Sequence, residues 1–557
     1  MGYTPMMNQN TRYHPDTRLL LTTIAFTGLF VALTLPERLS GLQPLAFVYL
    51  PLEFMVIGLL LLVPGHTGKV CRIVLTLLLG LGAMLRVADL ITHEIFARRF
   101  NLIFDSHLLA DASRLLTGVL GDFAAVAMGL MIAGAAALLC GLAYFILWQI
   151  QQALRTAPRI SAAALVSLLL VGILLNTAGS QRTGTFAWDQ LVLHGQDTVE
   201  SIRDIREFAE IVNQDEWAGR SGAGLFDRLQ GKDVFIVFAE SYGRVLLERE
   251  PFAESMRASL LQAQSALEAD GVHIRSAFLT APTVGGLSWL AHASALSGAW
   301  IDSQTRYESL IVSRRATLNR LFRDAGWRTV AAMPAISMAW PEAAYFGYDH
   351  IYNAHNFGYQ GLPFNWVTMP DQYVWSALQI RERGSADRSP LMAEIALISS
   401  HAPWTPIAHV VPWDEVDDGR VFNNQALSGP SPEEVWADVD SIRDHYRQSI
   451  EYMLATLVSY VQTYGDENLV LLVLGDHPPA PMVSGDPEGR QVPVHLIAHD
   501  PAVIDAISGW QWQPGLLPDG DAPVWRMDSL RDRFIEAFSS TQQPEMTRWL
   551  EQDGGNN

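Results

Sequence analysis

The uneven distribution of apolar residues is the feature that most constrains how this 557-residue chain folds. Residues 1–177 contain five apolar stretches, each close to the roughly 20 residues that a membrane-spanning helix needs. They cover Leu19–Leu35, Pro44–Val63, Val70–Thr92, Phe123–Trp148 and Ile160–Thr177. The first has the length of a signal peptide, but no small-residue cleavage site follows it, so we interpret it as a retained span. The sequence therefore predicts an N-terminal bundle of five transmembrane helices.

Positive charges in the short loops predict the orientation of this bundle. One side has Arg12, Arg18, Lys69, Arg72, Arg155 and Arg159, and the other has Arg38, Arg98, Arg99 and Arg114. The excess on the first side indicates a cytoplasmic N-terminus. Because five is an odd number of spans, the rest of the chain is expected outside, in the periplasm of a bacterial inner membrane or its equivalent.

Two features of the membrane half carry further expectations. Arg86 and Asp89 lie three residues apart within the third span and are expected to pair on one helical face. The loop of residues 93–122 is amphipathic, and we expect it to lie along the bilayer surface. Whether this loop takes part in substrate access is left open.

The remaining residues have the composition of an acidic soluble domain. Residues 178–557 carry a net charge of −23, against +3 for residues 1–177. A chain that is 49% hydrophobic and 17% charged is not intrinsically disordered. An acidic surface is also unsuited to nucleic acid. Cys71 and Cys140 both lie in apolar segments, so the soluble part has neither a disulfide framework nor a thiolate metal site.

Apolar strands that alternate with helices indicate the fold class of the soluble part. The predicted strands are Val234–Ala239, Arg328–Ala332, Met392–Ile398, Leu469–Leu474 and Val492–Ile497, and the predicted helices include Leu318–Ala325 and Pro432–Thr463. This pattern favours an α/β domain with a mostly parallel sheet covered by helices on both faces. We therefore divide the chain into a transmembrane domain (1–177), a helical connector (178–224), a catalytic domain (225–540) and a polar tail (541–557).

Ionisable residues follow three of the predicted strands. They are Glu240, His401 and the adjacent pair Asp476 and His477. Because the carboxyl ends of parallel strands meet at one edge of a sheet, these side chains are expected to converge. Carboxylate and imidazole ligands without thiolate suit Mn²⁺, Mg²⁺ or Zn²⁺. We expect one divalent ion, Mn²⁺ in the first place.

A turn with two glycines, Thr283-Val284-Gly285-Gly286-Leu287-Ser288, leads into an apolar, helical run. Ser288 is thus expected in the first turn of a buried helix, where free N–H groups favour an anion. Beside a metal ion its hydroxyl becomes a nucleophile for phosphorus. An ordinary N-cap serine is the more common use of such a position. Thr283 is a second candidate nucleophile.

The order of these motifs resembles the alkaline phosphatase/sulfatase superfamily. The motifs are Phe238-Ala239-Glu240-Ser241-Tyr242-Gly243, a hydroxyl residue about fifty positions later, His401-Ala402-Pro403-Trp404 and Gly475-Asp476-His477. With the N-terminal spans, the chain is most similar to the membrane branch, the lipoteichoic acid synthases and phosphoglycerol transferases. The resemblance implies that Glu240, Asp476 and His477 bind metal. It also implies that Ser288 is both a ligand and the nucleophile, and that His401 contacts the phosphate or protonates the leaving group.

Other residues near these motifs are candidates for the substrate cleft. Trp340 and Trp404 are expected to line it, although packing in the core is a comparable use for each. His292 lies four residues after Ser288 on the same helical face, where it can steady the nucleophile or the substrate, or pack in the core. A sulfatase would need Pro and Arg two and four positions after its nucleophile, and Ser288 is followed there by Leu290 and His292.

The resemblance implies a transferase that moves a phosphoglycerol-type head group from a phospholipid to an extracytoplasmic glycan or lipid. The sequence departs from the family pattern in two details. Most membrane transferases of this group have threonine at the position of Ser288. The synthases also carry an Arg shortly after a Trp, and Trp340-Pro341-Glu342 lacks this Arg. Three alternatives stay open. They are a phosphoethanolamine transferase, whose soluble domain usually contains cysteines, a phosphodiesterase or phosphatase, and a non-catalytic membrane binding protein.

Overall fold

The computed structural model of the chain describes residues 15–43, 47–105, 122–179, 183–220, 222–385 and 387–540. It contains two compact units, one of residues 1–94 with 98–203 and the other of residues 95–97 with 204–557. The predicted polar tail 541–557 and most of the predicted surface loop, residues 106–121, lie outside the described residues.

The first unit is helical. Its helices are Pro15–Thr34, Leu52–Leu62, Gly65–Phe96, Asp122–Leu154, Pro158–Thr177 and Phe186–Ile211, and two short strands, β1 (Leu50–Pro51) and β2 (Thr183–Gly184), pair in parallel. Within the described ranges, four of these helices are long and apolar enough to cross a membrane: Pro15–Thr34, Gly65–Phe96, Asp122–Leu154 and Pro158–Thr177. The predicted second span contains instead the 11-residue helix Leu52–Leu62. The prediction of five full-length spans is therefore not confirmed, because β1 and Pro51 start this helix late.

Arg86 and Asp89 are joined through Gln190 on the helix Phe186–Ile211. Arg86 Nε donates to Gln190 Oε1 at 2.6 Å, and Gln190 Nε2 donates to Asp89 Oδ2 at 2.9 Å. The Arg86 guanidinium also donates to the carbonyl oxygens of Ala32, Leu33 and Leu35 at 2.5–3.1 Å. The last carbonyls of a helix lack intrahelical partners, so Arg86 satisfies the end of the first helix rather than pairing directly with Asp89.

The second unit is built on a nine-stranded sheet. The strands are β3 (Asp233–Ala239), β4 (His273–Thr280), β5 (Arg328–Met333), β6 (His350–Asn353), β7 (Leu391–Leu397), β8 (Leu469–Gly475), β9 (Gln491–Ala498), β10 (Gln513–Pro514) and β11 (Val524–Arg526). Their order is β10-β4-β9-β8-β3-β7-β5-β6, with β11 beside β4. All five predicted strands are present, with ends within one residue of those predicted, and β4, β6, β10 and β11 are additional.

The sheet is mixed. Strands β6, β5, β7, β3 and β8 are parallel neighbours, whereas β9 runs antiparallel to both β8 and β4. The prediction of a mostly parallel sheet is therefore not confirmed in full, because β9 and β10 are antiparallel to their neighbours. A parallel neighbour needs a crossover, usually a helix, and the connection from β8 to β9 contains only the four-residue helix Pro481–Ser484.

Helices cover both faces of this sheet. The longer ones are Ala253–Ala269, Ser288–Ser297, Gln304–Ile311, Leu318–Asp324, Asp371–Leu378, Val439–Tyr464 and Leu530–Phe538. Alternate residues of the central strand β3 belong to the two cores: Phe235 and Val237 to one, and Ile236 and Phe238 to the other. Because β3 is buried on both faces, its continuous apolar sequence is explained, and the first polar residue after it marks the carboxyl edge of the sheet.

Asp371 is a buried carboxylate that holds the segment leading from β7 to His401. Its Oδ1 accepts from the backbone N–H groups of Ile398 and Ser399 at 2.9 and 3.0 Å. Its Oδ2 is buried without a hydrogen-bond partner in the described part of the chain. Burial raises the pKa of Asp371 to about 7, so the carboxyl is protonated in the folded chain in mildly acidic solution.

We expect Asp371 to make the folded chain less stable as the pH rises. Its pKa is about 7 when folded and near 3.8 when unfolded, so its contribution is complete below pH 4 and is lost as the pH rises through 7. Asp371→Asn keeps the acceptor and should gain up to about 4 kcal/mol over wild type between pH 4 and pH 7.5. Thermal melts of the detergent-solubilised chain check this, with Asp440→Asn, whose side chain is 87% exposed, as the control. Parallel pH curves for wild type and Asp371→Asn would contradict it.

Candidate metal centre and nucleophile

Three predicted ligands lie at the carboxyl ends of the adjacent parallel strands β3 and β8. Glu240 follows β3, Asp476 and His477 follow β8, and one ligand atom from each lies within 4.8 Å of the other two. All three residues are buried, at 8%, 1% and 1% exposure. Two carboxylates and one imidazole at this separation fit the donor set of a hard or borderline divalent cation. These residues could therefore hold a metal ion.

Close backbone contact brings the two strand ends together. The Asp476 N–H donates to the carbonyl oxygen of Ala239 at 3.3 Å, and the Glu240 N–H donates to that of Leu397 on β7 at 3.1 Å. A Cβ atom at Gly475 would lie 2.1 Å from the carbonyl oxygen of Tyr242. Glycine directly before Asp476 is thus required for the approach of the two loops.

Ser288 is the first residue of the helix Ser288–Ser297 and faces this cluster. Its Oγ lies 3.2 Å from Glu240 Oε2 and 3.2 Å from His477 Nε2. The preceding turn has positive φ at Gly285, Gly286 and Leu287, and this turns the chain sharply into the helix. The structure therefore places Ser288 where the sequence predicts it, in the first turn of a helix and against the three acidic and imidazole side chains.

Each of the three ionisable side chains in the cluster affects the pKa values of the other two. Burial opposes ionisation of Glu240, but the His477 and His401 charges and a hydrogen bond from Ser241 hold its pKa below the ordinary value. Burial and the Glu240 charge raise the pKa of Asp476 to about 6. Burial disfavours the imidazolium form of His477, yet the two carboxylates raise its pKa. Two buried carboxylates this close repel each other, and a cation between them relieves that repulsion.

The remaining predicted site residues have different surroundings. His401 is exposed, its Nδ1 lies 2.6 Å from the carbonyl oxygen of Ala402, and its charge acts on Glu240. Trp404 is buried, donates to the Ser400 carbonyl oxygen at 2.7 Å and stacks on Trp436. Trp340 packs against Phe346 and Tyr348. His292 bonds Glu394, and Thr283 Oγ1 is buried without a partner in the described ranges.

Two serines that support the cluster were not predicted. Ser241 donates from Oγ to Glu240 Oε1 at 2.8 Å and from its backbone N–H to Asp476 Oδ1 at 2.9 Å. Its φ of 60° is left-handed, which is uncommon for a residue other than glycine. Ser400 donates to the Glu240 carbonyl oxygen at 2.6 Å. Only the position of Ser241 beside Glu240 and that of Ser400 beside His401 could have signalled them.

Comparison with known proteins gives matches among solved structures. No protein-family model and no curated protein matches the chain. The chain is similar to the lipoteichoic acid synthase LtaP from Listeria monocytogenes, with 16% identity over 52% of this chain and 71% of that one and a TM-score of 0.35. It is similar to the Streptococcus pyogenes phosphoglycerol transferase GacH in complex with sn-glycerol-1-phosphate (12%, 62% and 91%, TM-score 0.32). It is also similar to an alkaline phosphatase superfamily protein from Vibrio parahaemolyticus (15%, 53% and 69%, TM-score 0.30).

We expect Asp476→Asn to lower the affinity of the chain for a divalent ion by more than about 100-fold, since even residues that only orient a ligand contribute about 10–100-fold. Titration calorimetry of the solubilised full-length chain with Mn²⁺ and with Zn²⁺ measures this change. Asp440→Asn is the matched control, because its carboxylate is exposed to solvent. Equal affinities in wild type and Asp476→Asn would contradict a metal centre at Asp476.

Proposed function

We propose that this chain is a membrane-anchored, metal-dependent phosphotransferase of the alkaline phosphatase/sulfatase superfamily. The main support is the position of Ser288 Oγ, which lies 3.2 Å from Glu240 Oε2 and 3.2 Å from His477 Nε2. These two residues and Asp476 form a centre that could hold a metal ion. The motif order in the sequence supports the same superfamily. In this proposal Glu240, Asp476 and His477 are the metal ligands, and Ser288 is a ligand and the nucleophile.

The reaction divides into two transfers at phosphorus. A divalent ion held by Glu240, Asp476 and His477 would lower the pKa of the Ser288 hydroxyl and polarise the phosphoryl group. Ser288 loses its hydroxyl proton to solvent and its Oγ attacks phosphorus in line, so that an Oγ–P bond forms while the P–O bond to the diacylglycerol breaks. His401, which is exposed beside the centre, gives the leaving alcohol its proton. A hydroxyl of the acceptor then attacks the same phosphorus, His401 takes the proton of that hydroxyl, and the Oγ–P bond breaks to release Ser288.

The head group and the acceptor follow from the motif resemblance. We propose a phosphoglycerol-type donor lipid and an extracytoplasmic glycan or lipid acceptor, with Trp340 and Trp404 beside the substrate. An overall charge of −20 does not oppose an anionic substrate, because the charges at the centre govern the encounter. The apolar helices tether the site near its lipid donor, which raises the effective concentration of that donor.

Contacts within the first unit support five crossings of the membrane, although one helix is short. At the start of Leu52–Leu62, Glu53 accepts from the N–H groups of Ala187 and Trp188, after the last apolar helix. At its end, the Leu61 carbonyl oxygen accepts from Gln151, in the last turn of Asp122–Leu154, and the Val63 carbonyl oxygen accepts from Arg155, directly after that helix. The segment thus passes between the same two ends of the bundle as the helix Pro158–Thr177. We infer a cytoplasmic N-terminus and an extracytoplasmic catalytic domain in the bacterial inner membrane.

The topology predicts which sites a membrane-impermeant maleimide reaches in intact spheroplasts. With Cys71 and Cys140 replaced by alanine, cysteines at Leu39 and at Val312, which are 51% and 82% exposed, should both react. A cysteine at Thr156 should react only after the membrane is opened. If residues 44–63 did not cross, Leu39 and Val312 would lie on opposite sides of the membrane, and only one of them would be labelled.

We expect Ser288→Ala to lower transfer by at least about 1,000-fold, as loss of a nucleophile does, while binding of the metal ion persists through the other three ligands. The assay uses purified full-length chain with labelled phosphatidylglycerol, and mass spectrometry of acid-quenched wild type should find phosphoglycerol on Ser288. Thr283→Ala is the control for the neighbouring hydroxyl. Activity that survives in Ser288→Ala would contradict the mechanism, and free glycerol phosphate regardless of added acceptor would indicate a hydrolase.

A further inference from the structure

A second polar cluster lies beneath the helix that carries Ser288. At its centre is Glu394, in the middle of strand β7 and 1% exposed. Its Oε1 accepts from His292 Nδ1 at 2.8 Å. Its Oε2 accepts from Asn319 Nδ2 at 3.0 Å and from the Tyr348 hydroxyl. A buried carboxylate is costly to keep in a sheet unless donors surround it, and here three donors converge on it.

These contacts fix the imidazole of His292. The ring stacks on Phe238 with centroids 3.7 Å apart and planes at 14°, and Phe238 lies two residues before Glu240. Because the Glu394 carboxylate is an acceptor, the Nδ1 of His292 carries a proton. Two groups outside its own helix thus hold the imidazole. Phe238 sets the plane of the ring, and Glu394 sets the direction in which Nδ1 points.

The fixed ring lies beside the proposed nucleophile. His292 is four residues after Ser288 on the same helical face, and side chains in a helix tilt toward its N-terminus. The His292 side chain keeps 11% of its surface exposed. Its Nε2, at the ring edge away from Glu394, is therefore available to a group bound at Ser288.

We propose that His292 Nε2–H donates a hydrogen bond to a non-bridging phosphoryl oxygen while Ser288 attacks, and that Glu394 is the positioning residue that orients this imidazole through Nδ1. The proposal rests on the proposed phosphotransferase function. In this arrangement both ring nitrogens donate, Nδ1 to Glu394 and Nε2 to the phosphoryl oxygen. Negative charge grows on the phosphoryl oxygens in the transition state, and a fixed donor at that place stabilises it.

Two substitutions of His292 separate this role from packing. In His292→Asn the amide nitrogen replaces Nδ1 and keeps the bond to Glu394, whereas in His292→Gln it replaces Nε2 and keeps the donor toward the substrate. We expect His292→Asn to lower kcat by about 100-fold or more with little change in KM, as loss of one preorganised donor does. His292→Gln should retain activity within about 10-fold of wild type.

Glu394 is tested with a matched pair of variants. Glu394→Gln keeps an oxygen acceptor but replaces a charged acceptor with a neutral one, which holds the His292 ring less strongly, so we expect kcat to fall about 10-fold or more. Tyr348→Phe removes a donor to the same carboxylate without touching the bond to His292, so its kcat should stay near that of wild type. Because His292 and Glu394 act as one unit, the loss of kcat in the double variant His292→Asn/Glu394→Gln should be smaller than the two single losses combined.

The readouts are kcat and KM for labelled phosphatidylglycerol with full-length chain, together with metal content and thermal melts of each variant. Activity of His292→Asn equal to or above that of His292→Gln would overturn the proposal, as would an equal loss in Glu394→Gln and Tyr348→Phe. If Glu394→Gln does not fold, the two His292 variants decide. A wild-type chain that forms no product contradicts the proposed function, whereas an active wild type with wild-type kcat in both His292 variants overturns only this inference.

Discussion

Mutual repulsion of two buried carboxylates is the constraint on which the active edge of the sheet depends. Glu240 and Asp476 follow neighbouring parallel strands, and the close contact at Gly475 leaves them no room to separate. A fold that buries such a pair has to supply compensating charge. His477 and the backbone N–H of Ser241 supply part of it, and a divalent cation supplies the rest in the proposed function. Ser288 Oγ lies 3.2 Å from Glu240 and 3.2 Å from His477 of this cluster.

The helix Ser288–Ser297 is held from two sides. Its buried face packs in the core on one side of the sheet, and His292 ties it to the middle of β7 through Glu394. Ser288 is thereby fixed relative to strands β3, β7 and β8 together, rather than to one loop. Sites on rigid elements maintain a reacting geometry better than sites on mobile loops do. In the proposed function, the hydrogen bonds of Glu394 with His292, Asn319 and Tyr348 maintain this position of Ser288.

In the first unit, polar side chains occur where backbone groups would otherwise be unpaired. Arg86 satisfies the carbonyl groups at the end of the helix Pro15–Thr34, and Glu53 accepts the first N–H groups of Phe186–Ile211. In a lipid environment an unpaired backbone group costs several kcal/mol, so these charged residues serve the fold there. Arg86 lies in an apolar helix for this reason.

The sequence by itself determined the positions of five of the nine strands and the identity of the four clustered residues, because both depend on local patterns. A strand that is buried on both faces is a continuous apolar run, and the polar residue that ends it marks the edge of the sheet, as at Glu240 and Asp476. Only the tertiary structure decided the direction of β9, the short helix Leu52–Leu62, and the partners of His292, because these depend on contacts between residues distant in the chain. Glu394 is a single charged residue inside an apolar run. Its hydrogen-bond partners Asn319, Tyr348 and His292 come from three other segments, so the sequence alone does not predict them.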